Sequence, residues 1–258
     1  MKRINRIIAC TLTLLSSASI APAPGPADLV RAYPGVVAAI DNGNLVMASG
    51  ARFAISDGIA GKTPAERLNH PDIDDMFAYR YPVGAPLTAP PRDFDPGRIR
   101  FQPLFTAMYG DCRKGEVAPR MRAVAWMPRH GGGTLMVTTA NGVADHLDAV
   151  IAELDQLPAP LIRYLLPSAG TYNCRVVAGT DSLSMHAFGA AIDINTDFSD
   201  YWRWVGANGT PGGKWRNRIP PEIVAIFERH GFIWGGRWSH FDTMHFEYRP
   251  ELLPPNPG

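Results

Sequence analysis

The chain predicts an α+β fold with a mainly antiparallel sheet and flanking helices. Three observations lead there. Strand-like and helix-like stretches are mixed without the regular βαβ alternation of a parallel sheet. Two apolar runs, 123–127 and 135–139, flank Pro128-Arg129-His130-Gly131-Gly132-Gly133, the pattern of a hairpin with a glycine-rich turn. Gly (25) and Pro (24) are plentiful, which favours short elements and many loops over a helical bundle.

Composition bounds the rest. With 46% hydrophobic and 19% charged residues, the chain can bury a core. A net charge of +1 leaves no whole-chain electrostatic footprint for nucleic acid. At the start, Lys2, Arg3 and Arg6 precede a short apolar stretch, 7–15, and small residues follow at 19–23. This reads as a signal peptide over 1–21, since the apolar stretch is too short to span a bilayer. An exported protein, periplasmic or alternatively extracellular, is expected, with no membrane span after cleavage. Two cysteines then remain, Cys112 and Cys174. In an oxidising compartment an even pair favours a disulfide over two buried thiols.

Residues 22–100 read as an N-terminal extension. Runs at 45–47 and 52–55 flank Gly50 as short strands. Residues 59–98 carry Pro82, Pro86, Pro90 and Pro91, so regular structure is disfavoured and an ordered loop or wrap is expected. Residues 101–258 form the main domain. After the hairpin, Val143, Leu147, Val150, Ile151 and Leu154 recur at helical spacing, predicting a helix over 142–156 that stops at Leu157-Pro158. A second helix opens at Pro220-Pro221-Glu222, buries Ile223, Ile226 and Phe227, and ends at Gly231. A strand begins at Phe232.

Two segments concentrate metal-competent side chains: Ser184-Met185-His186-Ala187-Phe188-Gly189-Ala190-Ala191-Ile192-Asp193-Ile194-Asn195, and Trp234-Gly235-Gly236-Arg237-Trp238-Ser239-His240-Phe241-Asp242-Thr243-Met244-His245-Phe246-Glu247-Tyr248. If 190–194 and 243–248 are strands, Asp193 lies on one face of the first, and His245 and Glu247 share a face of the second. Gly189 lets the backbone turn, so His186 can fold back towards Asp193. Two imidazoles and a carboxylate give the three protein ligands of a catalytic zinc, with a fourth position left open. Asp242 would then sit near enough to act as a base. The plainer alternative is hydrogen-bonded core. Against it stands Asp193 between two isoleucines, because an unpaired buried carboxylate is costly.

The pattern Ser184-x-His186-x-x-Gly189-x-Ala191-x-Asp193, followed by Asp242-x-x-His245-Phe246-Glu247, resembles the zinc D-Ala-D-Ala carboxypeptidase and L-Ala-D-Glu endopeptidase family. That family shares its fold with the hedgehog signalling domain. The resemblance covers about 167–251. It implies Zn2+ held by His186, Asp193 and His245, with Asp242 as base and Arg175 stabilising an oxyanion or holding a substrate carboxylate. Ser184, His240 and Trp238 are expected to meet substrate. The implied partner is the peptidoglycan stem peptide, and a monomer is expected. Carboxypeptidase members tend to carry Glu as base and the endopeptidases Asp, so Asp242 points to L-Ala-D-Glu cleavage. D-Ala-D-Ala carboxypeptidase activity is the alternative. Two other classes compete: a wall-binding module that does not cut, and a structural zinc protein closed by a fourth ligand such as His240.

Overall fold

The computed structural model describes residues 23–177, 180–204 and 214–255. The expected signal peptide lies outside the described residues. Among them, helices and three small antiparallel sheets make an α+β fold. No helix of the described residues is long and apolar enough to cross a membrane.

Helix α1 (Ala27–Ala32) leads into a meander of β1 (Val37–Asp41), β2 (Asn44–Met47) and β3 (Arg52–Ala54). The proline-rich stretch is mostly irregular, but it holds a short helix, α2 (Pro64–Asn69). Thr63 caps α2, and Glu66 reaches back to the Thr63 backbone N–H at 2.7 Å. The Thr-x-x-Glu pattern overrides the prolines locally, because Pro64 falls where a helix needs no N–H. Beside it, Lys62 is sealed among Asp57 (2.6 Å), Asp75 (2.7 Å) and Asp72 (3.4 Å).

Helix α3 (Gln102–Tyr109) buries Leu104, Phe105, Met108 and Tyr109. The hairpin pairs β4 (Met121–Ala125) with β5 (Thr134–Thr138). Helix α4 (Val143–Leu154) turns its Val, Leu and Ile residues inward, and the short α5 (Ala159–Ile162) follows. Strand β6 (Ala191–Asp193), helix α6 (Pro221–Arg229), β7 (Phe232–Trp234) and β8 (His245–Tyr248) complete the fold.

The third sheet positions the chemistry. Its order is β6-β8-β7, so β8 is central and pairs on both edges. All four β8 side chains are buried, and they alternate in kind. Phe246 stacks on Phe227 of α6 at 3.9 Å between ring centres, and Tyr248 meets Phe232 edge-on. Burying such an aromatic contributes about 2–3 kcal/mol, enough to anchor the strand. The alternate positions, His245 and Glu247, face the other way. One core runs from Leu29 and Leu45 through Phe105 and Leu147 to Phe246, so the segment before residue 101 packs into the same interior as the rest.

That early segment also clamps the loop before β8. Arg237 donates to the Ala85 carbonyl at 2.8 Å, and the Trp238 indole N–H to the Pro96 carbonyl at 2.7 Å. The Ser239 N–H donates to the Phe94 carbonyl at 2.8 Å, and Arg249 bonds the Gly97 carbonyl. A disulfide joins Cys112 to Cys174, with Cα atoms 5.7 Å apart, within the usual span of such a bridge.

Candidate metal centre and active site

His186 sits in a single 3-10 turn, Met185–Phe188. The Ser184 hydroxyl caps it by accepting from the His186 N–H at 3.3 Å. Gly189 ends the turn at φ +67°, where an added Cβ would lie 2.8 Å from the Met121 sulfur and 3.2 Å from the Thr138 nitrogen. Only glycine satisfies both the conformation and the space. The chain then enters β6, where Asp193 pairs directly with His245 of β8.

The tautomers follow from the partners. The Nδ1–H of His186 donates to the Thr171 carbonyl at 2.7 Å, leaving Nε2 with a lone pair. The Nε2–H of His245 donates to Glu247 at 2.9 Å, which turns Nδ1 to the site. These two ring nitrogens are 3.1 Å apart, and Asp193 Oδ1 lies 3.2 Å from the first and 3.0 Å from the second. Three electron-rich atoms so close together repel unless a proton or a cation sits among them. Two imidazoles and a carboxylate suit zinc, and the three residues form one metal-competent group among the described residues.

The electrostatics agree. Burial opposes charge on His245, yet Asp193 and Glu247 outweigh it and raise its pKa to about 10. Burial likewise opposes ionisation of Asp193, but His186 and His245 hold its carboxyl well below the usual range. Glu247 is 1% exposed. Burial would keep it neutral, but Arg100, His245 and Arg249 hold its pKa near 2. The site is thus built to stabilise positive charge between its donors.

Asp242 stands at the mouth of β8, held by its N–H to the Gly235 carbonyl at 3.0 Å. Its Oδ1 is buried without a hydrogen-bond partner among the described residues. Burial, then the Asp193 carboxylate, pushes its pKa up to about 7. An orphaned carboxylate oxygen with a pKa near neutrality is what a general base requires.

A cleft of about 250 Å³ opens onto these groups. Arg175, Ser184, Trp238, His240 and Asp242 all line it, with the candidate metal donors Asp193 and His245. Arg175 is exposed; its guanidinium donates to the Val176 carbonyl at 3.5 Å, and its backbone carbonyl accepts from the Ser184 N–H at 3.0 Å. Trp238 is tied to Pro96, and its ring lies 5.7 Å from that of His245. His240 is not among the three donors: its Nδ1 is bonded to Asp95 at 2.6 Å. Sequence reasoning missed Asp95, Arg98 and Arg100. The last two also line the cleft. They lie in or just beyond the proline-rich stretch, where no periodicity reports what the backbone brings together.

Residues 178–248 match the model of a family described as D-alanyl-D-alanine carboxypeptidase. No curated protein and no solved structure matches the chain. The matched stretch contains His186, Asp193, Asp242 and His245 and leaves Asp95, Arg98, Arg100 and Arg175 outside. Over those residues the chain is similar to a family of peptidases.

Proposed function

We propose that this chain is an exported zinc peptidase that hydrolyses the stem peptide of peptidoglycan, cutting between L-Ala and D-Glu. The observation that carries the peptidase reading is the convergence of His186 Nε2, His245 Nδ1 and Asp193 Oδ1 within 3.2 Å, beside the unpartnered Asp242 Oδ1. Zinc bound there would supply Lewis-acid polarisation of the scissile carbonyl and make water easier to deprotonate. Asp242 takes the proton of the attacking water and returns it to the leaving amine. Arg175 offers its guanidinium to the oxyanion or to a substrate carboxylate. Arg98 and Arg100 on the same cleft suit a peptide that carries carboxylates.

The choice of bond rests on Asp242, since Asp in place of Glu accompanies L-Ala-D-Glu cleavage in the family the motifs resemble. The description of the matched family favours a second reading, removal of the terminal D-Ala. The test is mass spectrometry of purified muropeptides incubated with the mature protein, with zinc, with a chelator, and with Asp242→Ala. Zinc-dependent cleavage between L-Ala and D-Glu supports the proposal. Loss of one D-Ala establishes the second reading. No product with any muropeptide moves the chain to a binding module.

A further inference from the structure

At the edge of the cleft the half-buried His240 is held by a buried carboxylate, Asp95, that lies outside the family match. Asp95 is 6% exposed. Both of its oxygens are spent on one residue: Oδ1 accepts from the His240 N–H at 2.9 Å and Oδ2 from the His240 Nδ1–H at 2.6 Å. Neighbouring bonds hold the two segments in register. The Asp93 N–H donates to the Ser239 hydroxyl at 3.0 Å, and the Ser239 N–H to the Phe94 carbonyl at 2.8 Å. Trp202 stands edge-on to the His240 ring at 4.7 Å, and Arg98 is 3.7 Å from Asp95 Oδ2.

This arrangement fixes more than the position of the ring. Burial opposes ionisation of Asp95, but His240 and Arg98 keep its carboxyl below the usual range. A carboxylate can only accept, so Nδ1 carries the proton. In neutral imidazole the other nitrogen, Nε2, then has a lone pair. Among the described residues Nε2 has no protein partner, and His240 lines both the cleft and an adjoining cavity of about 200 Å³.

We propose that Asp95 is a positioning residue of the active site, holding His240 as the Nδ1–H tautomer so that Nε2 accepts a hydrogen bond from a backbone N–H of the bound peptide. The inference rests on the peptidase reading for its substrate but not for its geometry. It gives the proline-rich segment a part in substrate recognition as well as in bracing the loop before β8.

Asp95→Asn tests it. The amide keeps the size of the side chain and can still accept from the His240 backbone with its oxygen. Its NH2 then faces Nδ1 and drives the ring proton to Nε2, where it opposes a peptide N–H. Asp95→Asn and His240→Ala are each expected to raise KM about tenfold, the worth of one hydrogen bond, with kcat within about twofold. Zinc content and melting temperature serve as controls. The double variant should be no worse than His240→Ala alone, because the two residues act as one unit. Multiplied losses in the double variant, or a fall in kcat at constant KM, would overturn the inference. Long-range 15N–1H spectra of the unmodified protein give a reading that needs no turnover. The inference requires a proton on His240 Nδ1 and a shift at Nε2 when stem peptide is added. A proton on Nε2 in the free protein, or an unmoved Nε2 resonance at saturating peptide, sinks it even if the enzyme is active. A protein that binds peptide at Nε2 but never cleaves it would uphold the pair and refute the peptidase.

Discussion

Glu247 follows His245 by two residues on β8 and accepts its Nε2–H at 2.9 Å, so one strand supplies both a candidate metal donor and the group that orients it. The carboxylate is itself held by Arg100 at 3.1 Å and Arg249 at 3.1 Å. The chain from candidate metal donor to arginine is continuous, with Glu247 and Arg249 buried and His245 and Arg100 reaching the cleft.

Replacing Glu247 should therefore reach the metal without touching it. Glu247→Gln is expected to weaken zinc binding roughly ten- to hundredfold, by loosening the His245 ring and lowering its basicity. Competition against a chromophoric chelator measures this. Unchanged affinity would show that β8 alone sets the ring.

The same group gives an acid limb. Its folded pKa of about 2 lies below the ordinary 4.5, so its stabilisation is complete above about pH 4.5 and is lost as pH falls towards 2. Urea unfolding from pH 5 to pH 2 should show the native protein losing more stability than Glu247→Gln over that window.

Asp242 has the opposite sign. Its folded pKa of about 7 lies above the ordinary 3.8, so the stability it contributes is complete below about pH 3.8 and is lost as pH rises through 7. In metal-free protein, Asp242→Asn should recover on the order of 2 kcal/mol at pH 8, less than a sealed carboxyl would give because Asp242 still faces the cleft. With zinc, the same variant should bind metal normally and lose hydrolysis by at least ~100-fold. Retained activity would place the base elsewhere.

The disulfide closes a separation of 62 residues. Chain-entropy arithmetic assigns such a loop about 4 kcal/mol. Cys112→Ser with Cys174→Ser should lower unfolding stability by up to that amount in urea titrations. Because Cys174 precedes Arg175, the double variant should also raise KM while zinc content stays constant.

The parts of this fold legible in sequence are those where one physical signal dominates. The helix over 142–156 is found as Val143–Leu154, because five apolar residues at helical spacing leave little choice. The hairpin runs are shifted one or two residues towards the N-terminus at their starts, since the strands pair by backbone bonds that apolar content does not mark. Strand alternation and one glycine allow His186, Asp193 and His245 to converge if the two strands pair, as β6 and β8 do; the resemblance of the motifs supplied the expectation that they are ligands. What remained hidden depends on contacts across long separations. Asp95 meets His240 145 residues later, and Arg100 meets Glu247 147 residues later. No local pattern encodes such a meeting. Helix α2 was hidden for a different reason: the surrounding prolines outweighed a capping pattern of only four residues.

The order of the donors along the chain has a consequence for when the site can form. Among the described residues the lining of the cleft begins at Arg98, while His245 and the central strand of the third sheet come after both β6 and β7 in the chain. A chain that stops before residue 245 lacks one of the three candidate metal donors and the strand between β6 and β7. Under the proposed function, such a chain cannot assemble the site however well its other parts fold.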